Sequence, residues 1–246
     1  MTPAQIEAIE SATLSAVIPE TQEEIPGWLL PFDTGTVGRA KSAVPLTHAA
    51  PEPSSLARIE AAYAARGLPP ALRLPRVAAF EAFRSQLADV GYLEHTLTHV
   101  CTAAASRAAR VSDGPAAEVR STPHEAWASV FLGEGFDPVD GASRVRKLSQ
   151  GEDSLFATIW DADAPVAAGA AAFSHGWGSV HGMRTAGHYR GRGLAGRVLA
   201  TLAREASAKG YPQIFLQVAA DNAAALSLYR RAGFEPRWTY SYWRRP

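Results

Sequence analysis

The stretch YRGRGLAGRVL, residues 189–199, decides how this chain is read. Gly191, Gly193 and Gly196 stand in a G-x-G-x-x-G spacing, while Arg190, Gly193 and Ala195 stand in an R-x-x-G-x-A spacing. The run before it, GWGSVHGMRTA (176–186), predicts a strand, and Leu194, Val198, Leu199 and Leu202 share one face of a helix after it. A strand that ends in a glycine turn and opens a helix builds an anion site. Successive backbone N–H groups converge there, and the helix dipole adds about half a positive charge. Glycine is needed because a Cβ blocks the close approach of phosphate oxygens.

The first spacing matches a dinucleotide site, which asks for an acid at the end of the next strand; Asp221 stands there. That fold also needs several further strand–helix units. Only 25 residues follow Asp221, with one strand among them, RWTYSYW (237–243). The second spacing is followed by another motif, DNAAALSLYRRAGF (221–234): an asparagine, a tyrosine, then Gly-Phe. On these two motifs, RGRGLA at 190–195 and DNAAALSLYRRAGF, the chain resembles the GNAT superfamily of acyl-CoA-dependent N-acyltransferases over roughly residues 116–245.

The resemblance implies an α/β fold with a mixed sheet, acetyl-CoA as co-substrate, no metal, and direct attack by a primary amine in a ternary complex. The coenzyme pyrophosphate is expected on Arg190, Gly191, Arg192, Gly193, Leu194 and Ala195. The pantetheine arm is expected along Met183, Arg184 and Thr185, with Asn222 contacting it. The family often has valine at the position of Thr185 and proline at that of Gly187. Tyr229 has the role of general acid for the departing thiolate. A phenol with a pKa of about 10 suits that role, and Tyr229 lies seven residues past Asn222, about two helical turns. Each residue also has an ordinary structural reading: Asn222 as a helix N-cap, Tyr229 as a buried aromatic. No general base is dictated. His181 alternates onto the face of Met183 and Thr185, with Arg184 opposite; Glu125 and Glu152 are weaker candidates. A non-catalytic acyl-CoA sensor is the binding-class alternative.

Other segments predict helices at 3–17, 54–66, 81–91, 124–132 and 141–150. Strands are predicted at 28–32, 38–46, 71–77, 92–103, 117–122, 154–161 and 164–173, with a linker at 104–115. Residues 56–100 and 194–242 repeat one order: helix, glycine, strand, helix, glycine-aromatic, strand. Gly67 to Gly91 spans 24 residues and Gly210 to Gly233 spans 23. This predicts two GNAT-like halves, 1–110 and 116–246. The first lacks a site: Leu87 stands where the second has Tyr229, and THAAPEPSS before its helix holds no glycine.

The chain of 246 residues is 47% hydrophobic, with a formal net charge of +0 and a pI of about 7.1. That balance gives no support for a nucleic-acid partner. Cys101 is the only cysteine and sits in an alternating strand pattern, so burial is expected. The opening MTPAQIEAIESATLSAV carries glutamates and no basic stretch, and no apolar run approaches the ~20 residues of a membrane span. The expectation is a cytoplasmic protein, a monomer (pseudo-dimer) or homodimer, acting on a small-molecule or peptide amine. In WTYSYW (238–243), Trp238, Tyr240 and Tyr242 share one face, packing between the halves or lining a pocket.

Overall fold

The computed structural model describes all residues, Met1–Pro246. Helix α1 (Pro3–Ala16) starts at a capping box in which Thr2 and Gln5 satisfy each other's free N–H groups. A three-stranded antiparallel sheet follows, formed by β1 (Thr21–Ile25), β2 (Trp28–Phe32) and β3 (Val44–Pro45). The strand expected over 38–46 is mostly absent. Gly38–Ala40 form a 3₁₀ turn, closed by the Ser42 hydroxyl donating to the Gly38 carbonyl, and only Val44–Pro45 pair with β2.

Next come α2 (Ser55–Ala64), β4 (Ala71–Pro75), α3 (Glu81–Asp89) and β5 (Leu93–Ala104). The expected linker is partly helical: α4 (Ala105–Ala108) buries Ala105 and Ala108. The chain continues through β6 (Glu118–Arg120), α5 (Glu125–Leu132), α6 (Pro138–Ser149), β7 (Ser154–Asp161), β8 (Ala164–Ser174) and β9 (Trp177–Thr185). It ends with α7 (Leu194–Ala208), β10 (Gln213–Ala219), α8 (Ala223–Arg231) and β11 (Glu235–Arg244).

Eight strands form one mixed sheet in the order β4-β11-β5-β10-β9-β8-β7-β6. Only β9 and β10 run parallel, so no doubly wound sheet exists and the dinucleotide reading fails on topology. Strand β11 lies between β4 and β5, so a single sheet runs through both predicted halves. The order β4-β11-β5-β10 is unchanged, read backwards, when β4 exchanges with β10 and β5 with β11.

Four helices, α2, α3, α7 and α8, end in the same way. Gly67, Gly91, Gly210 and Gly233 all have φ between +65° and +86°. After each, the next amide bonds back five residues: Leu68 to Tyr63, Tyr92 to Leu87, Tyr211 to Ala206 and Phe234 to Tyr229. These are four Schellman caps, and glycine takes the left-handed backbone they require at no steric cost.

The largest apolar cluster lies between the sheet and α4, α7 and α8; it includes Val198, Leu199, Leu202, Leu216, Val218 and Tyr229. Helices α1, α5 and α6 cover the other face, where Trp127, Phe131, Leu148, Ala168 and Ala170 pack together. No helix is long and apolar enough to cross a membrane.

Candidate active site

Strands β9 and β10 pair at only three positions, Gly178 with Ile214, Ser179 with Phe215 and Val180 with Leu216. Beyond them β9 continues to Thr185 and β10 to Ala219 without pairing to each other. The sheet therefore splits, and the backbone groups of β9 that face β10 past Val180 lack a strand partner there. An extended chain can take up such an edge.

A β-bulge in β9 reshapes this edge. Ala170 pairs with His181 but Ala168 pairs with Arg184, so β9 has one extra residue, at Gly182, whose φ is +61°. The bulge overturns simple alternation. His181 and Gly182 both face the α1–α5–α6 side: His181 meets Phe215 edge to face at 6.3 Å, and a Cβ on Gly182 would strike Leu148. Met183 faces α7, against Val198 and Leu202. Arg184 returns to the His181 side, its guanidinium 4.5 Å from the Phe136 ring centre and 3.6 Å from Asp140. So His181 does not share a face with Met183 and Thr185, and Arg184 is not opposite to it.

His181 is only 4% exposed, and its Nε2 has no hydrogen-bond partner. Burial, then the nearby Arg39 charge, lowers its pKa to about 3. It is a neutral imidazole across the working pH range. Glu125 is exposed at the start of α5, and Glu152 lines a separate depression beside Leu14 and Glu20. Neither reaches the split.

The glycine turn lies directly beyond β9. Gly191 and Gly193 each have φ +76°, and a Cβ on either would point into open space. Packing therefore does not require glycine at these positions; the left-handed backbone and room above the turn do. Gly193 is the N-cap of α7, and no side chain caps it. The first intrahelical amide bond is Arg197 to Gly193 at 3.2 Å. The N–H groups of the first turn, Leu194 and Ala195 included, are left to an outside acceptor. Arg190 is tethered by Nε to the Thr185 carbonyl at 3.4 Å, and Arg192 stacks on Tyr189 at 4.8 Å. The turn thus offers uncapped amides and two arginines, an arrangement that fits a diphosphate.

Asn222 caps α8, its Oδ1 accepting from the Ala225 amide at 3.1 Å. Tyr229 stands on the same helix, 9% exposed, its ring 5.8 Å from that of Phe234. Burial, then the neighbouring Cys101, pushes its phenol up to about 12. Burial likewise raises the Cys101 thiol to about 11.

On the α1 face, a cavity of about 370 Å³ opens against the split length of β10, at Gln217 and Ala219. Arg39, Arg144, Tyr240 and Tyr242 line it, whereas Trp238 packs on His48 and the α1 core. The sequence placed the tyrosines on one face. It gave no sign of Arg39 or Gln217, which lie 178 residues apart and meet through a 3.2 Å hydrogen bond.

Comparisons with known proteins agree with this geometry. The sequence model of the family described as "Probable histone acetyltransferase Rv0428c C-terminal" matches residues 3–243. The "Uncharacterized N-acetyltransferase YobR" of Bacillus subtilis is 27% identical over 247 residues, covering 97% of this chain and 96% of that protein. A GCN5-related N-acetyltransferase from Kribbella flavida has the same fold, with a TM-score of 0.72 at 20% identity over 98% of this chain and 95% of that one. A tandem GNAT protein from the clavulanic acid biosynthesis pathway follows at a TM-score of 0.58 and 16% identity, over 97% of this chain and 86% of that one. With the split β9–β10 edge and the uncapped glycine turn, these matches place the chain in the family of the Rv0428c C-terminal acetyltransferase, as an acyltransferase of the GNAT type.

Proposed function

We propose that the protein transfers an acetyl group from acetyl-CoA to a primary amine by direct attack. The observation that carries this is the parting of β9 and β10 after Val180 and Leu216, directly beside the uncapped amides at Gly193. Acetyl-CoA supplies the acetyl group as a thioester, with a thiolate as leaving group. The residues that would hold it are 190–195 at the diphosphate and Met183, Arg184 and Thr185 along the arm. The Asn222 side chain, engaged as the α8 cap, adds little to that list. The unpaired N–H groups of β9 between His181 and Thr185 are the donors available to the carbonyl oxygen. Tyr229 holds a proton at its phenol oxygen for the thiolate.

His181 is too buried and too weakly basic to take a proton from the amine itself. It serves as a packing element, edge to face with Phe215. Deprotonation then passes to water in the cavity.

The first half of the chain reads as a copy of the same unit that has lost its site. The matched Schellman caps and the strand order favour this reading, as does Leu87, which occupies the position of Tyr229 but has no proton to give. The copy completes the sheet through β4 and β5 and walls the cavity, so a monomer contains a whole site.

The test combines two measurements. Calorimetry with coenzyme A should show binding that Gly193→Ala weakens, and acetyl-CoA with an amine panel should release free thiol. No heat with coenzyme A would sink the proposal; binding without thiol release from any amine would favour a sensor.

A further inference from the structure

The cavity beside the split has a one-sided charge. Seventeen residues line it, with Arg39, Lys41, Arg144 and Arg244 among them and no aspartate or glutamate. Arg144 is already paired with Asp140 at 2.6 Å. Arg39, Lys41 and Arg244 form no ion pair. Behind the floor, Arg73 and Glu10 pair with each other at 2.6 Å, both almost fully buried; Arg39 is close enough to feel the Glu10 charge but forms no ion pair with it.

Arg39 is the unusual member. Its Nη1 donates to Gln217, but its Nε is enclosed and has no partner. An unpaired buried donor on a charged group is costly and rare unless something else satisfies it. Gln217 in turn accepts from the Tyr240 hydroxyl at 3.0 Å and donates to Thr13 at 2.9 Å, which fixes the guanidinium's neighbour in place. The Tyr242 ring is held under the backbone of Gly38, where any Cβ would come within 2.9 Å of it. At the rim, Thr96 has φ +38° in a β-bulge, where β5 has one residue more than β11 between Thr98 and His95.

We propose that the acceptor is a small amine that also carries an oxyanion, a carboxylate or a phosphate, held by Arg39 inside this cavity. The proposal rests on the acetyltransferase reading above. The oxyanion would lie on the guanidinium beside Gln217, with the amine end toward the split at Ala219 and the tyrosine rings as walls. The volume of about 370 Å³ suits a molecule of amino-acid size. A basic histone peptide, the kind of acceptor that the name of the matched family suggests, would bring further positive charge to a lining that has no acid to receive it.

Thiol release from acetyl-CoA is compared for phenylalanine, phenethylamine, O-phosphoethanolamine, ethanolamine and a histone H3 tail peptide. The expectation is that each anionic acceptor exceeds its uncharged-end counterpart by about 10- to 100-fold in kcat/KM, the size of one charge-assisted hydrogen bond. The phenylalanine and phosphoethanolamine arms tell carboxylate from phosphate. Arg39→Gln should erase that preference by raising KM. Arg244→Gln, at an exposed position, should do so in part and guards against a folding defect. Coenzyme A calorimetry on the same variants should be unchanged.

Equal rates for the paired acceptors, or a preference for the peptide, would overturn the inference. If none turns over, binding of N-acetylphenylalanine and N-acetylphenethylamine in the presence of coenzyme A is compared by calorimetry. Tighter binding of the former supports the proposal, and equal or absent binding overturns it. Loss of coenzyme A binding in the wild-type protein would instead mark failure of the acetyltransferase reading.

Discussion

Replacing Tyr229 with phenylalanine isolates one oxygen atom. The ring is packed against Phe234 in the α7–α8 core, and no side chain or carbonyl accepts its hydroxyl. The oxygen itself is not enclosed, and deleting a hydroxyl that makes no hydrogen bond within the protein costs little, so the Tm of Tyr229→Phe should stay within about 2 °C of wild type. Catalysis should respond differently. A positioned general acid contributes about 10²- to 10⁴-fold, roughly 3–5 kcal/mol at about 1.4 kcal/mol per decade. The assay is thiol release at saturating acetyl-CoA, with coenzyme A affinity from calorimetry as a control. The pH profile adds a second reading. Burial raises the phenol to about 12, so the protonated form persists through alkaline pH and wild-type kcat should show no falling limb from this group below about pH 10. An unchanged kcat in the variant would refute the reasoning. So would a loss matched by a fall in Tm or in coenzyme affinity, because the residue would then be a packing element only.

Gly193→Ala should cost about 1–2 kcal/mol of stability for an alanine in the left-handed region and weaken coenzyme A binding by at least about 10-fold. Gly67→Ala, also at positive φ with open space around its Cβ, should carry the strain without the binding loss. His181 has its pKa lowered by burial, so the folded state prefers the neutral ring. The stability this provides is present above about pH 6.5 and is lost as pH falls toward 3. His181→Phe should flatten the denaturant midpoint against pH across that window. It should also leave the acid limb of kcat/KM where it was, since a group titrating near 3 does not set it. Arg73→Ala should cost about 3–5 kcal/mol by leaving Glu10 buried and uncompensated; pairing it with Glu10→Leu should recover much of that in chemical denaturation.

Local rules carried much of this protein from the sequence alone. The turn at 190–193, the helix after it, the asparagine cap, the place of Tyr229 on α8 and the four glycine-terminated helices all depend on residues a few positions apart, whose backbone preferences are intrinsic. The tertiary structure decided the rest. The β9 bulge reversed the faces of Met183 and Thr185 relative to His181, because one extra residue against β8 shifts every later side chain, and only the partner strand shows it. The insertion of β11 between β4 and β5 merged the two segments into one sheet through strand pairings that span more than a hundred residues. Arg39 met Gln217 and the tyrosines for the same reason. A 3₁₀ turn near the start of the chain and two strands near its end carry no mutual signal until the sheet brings them around one cavity.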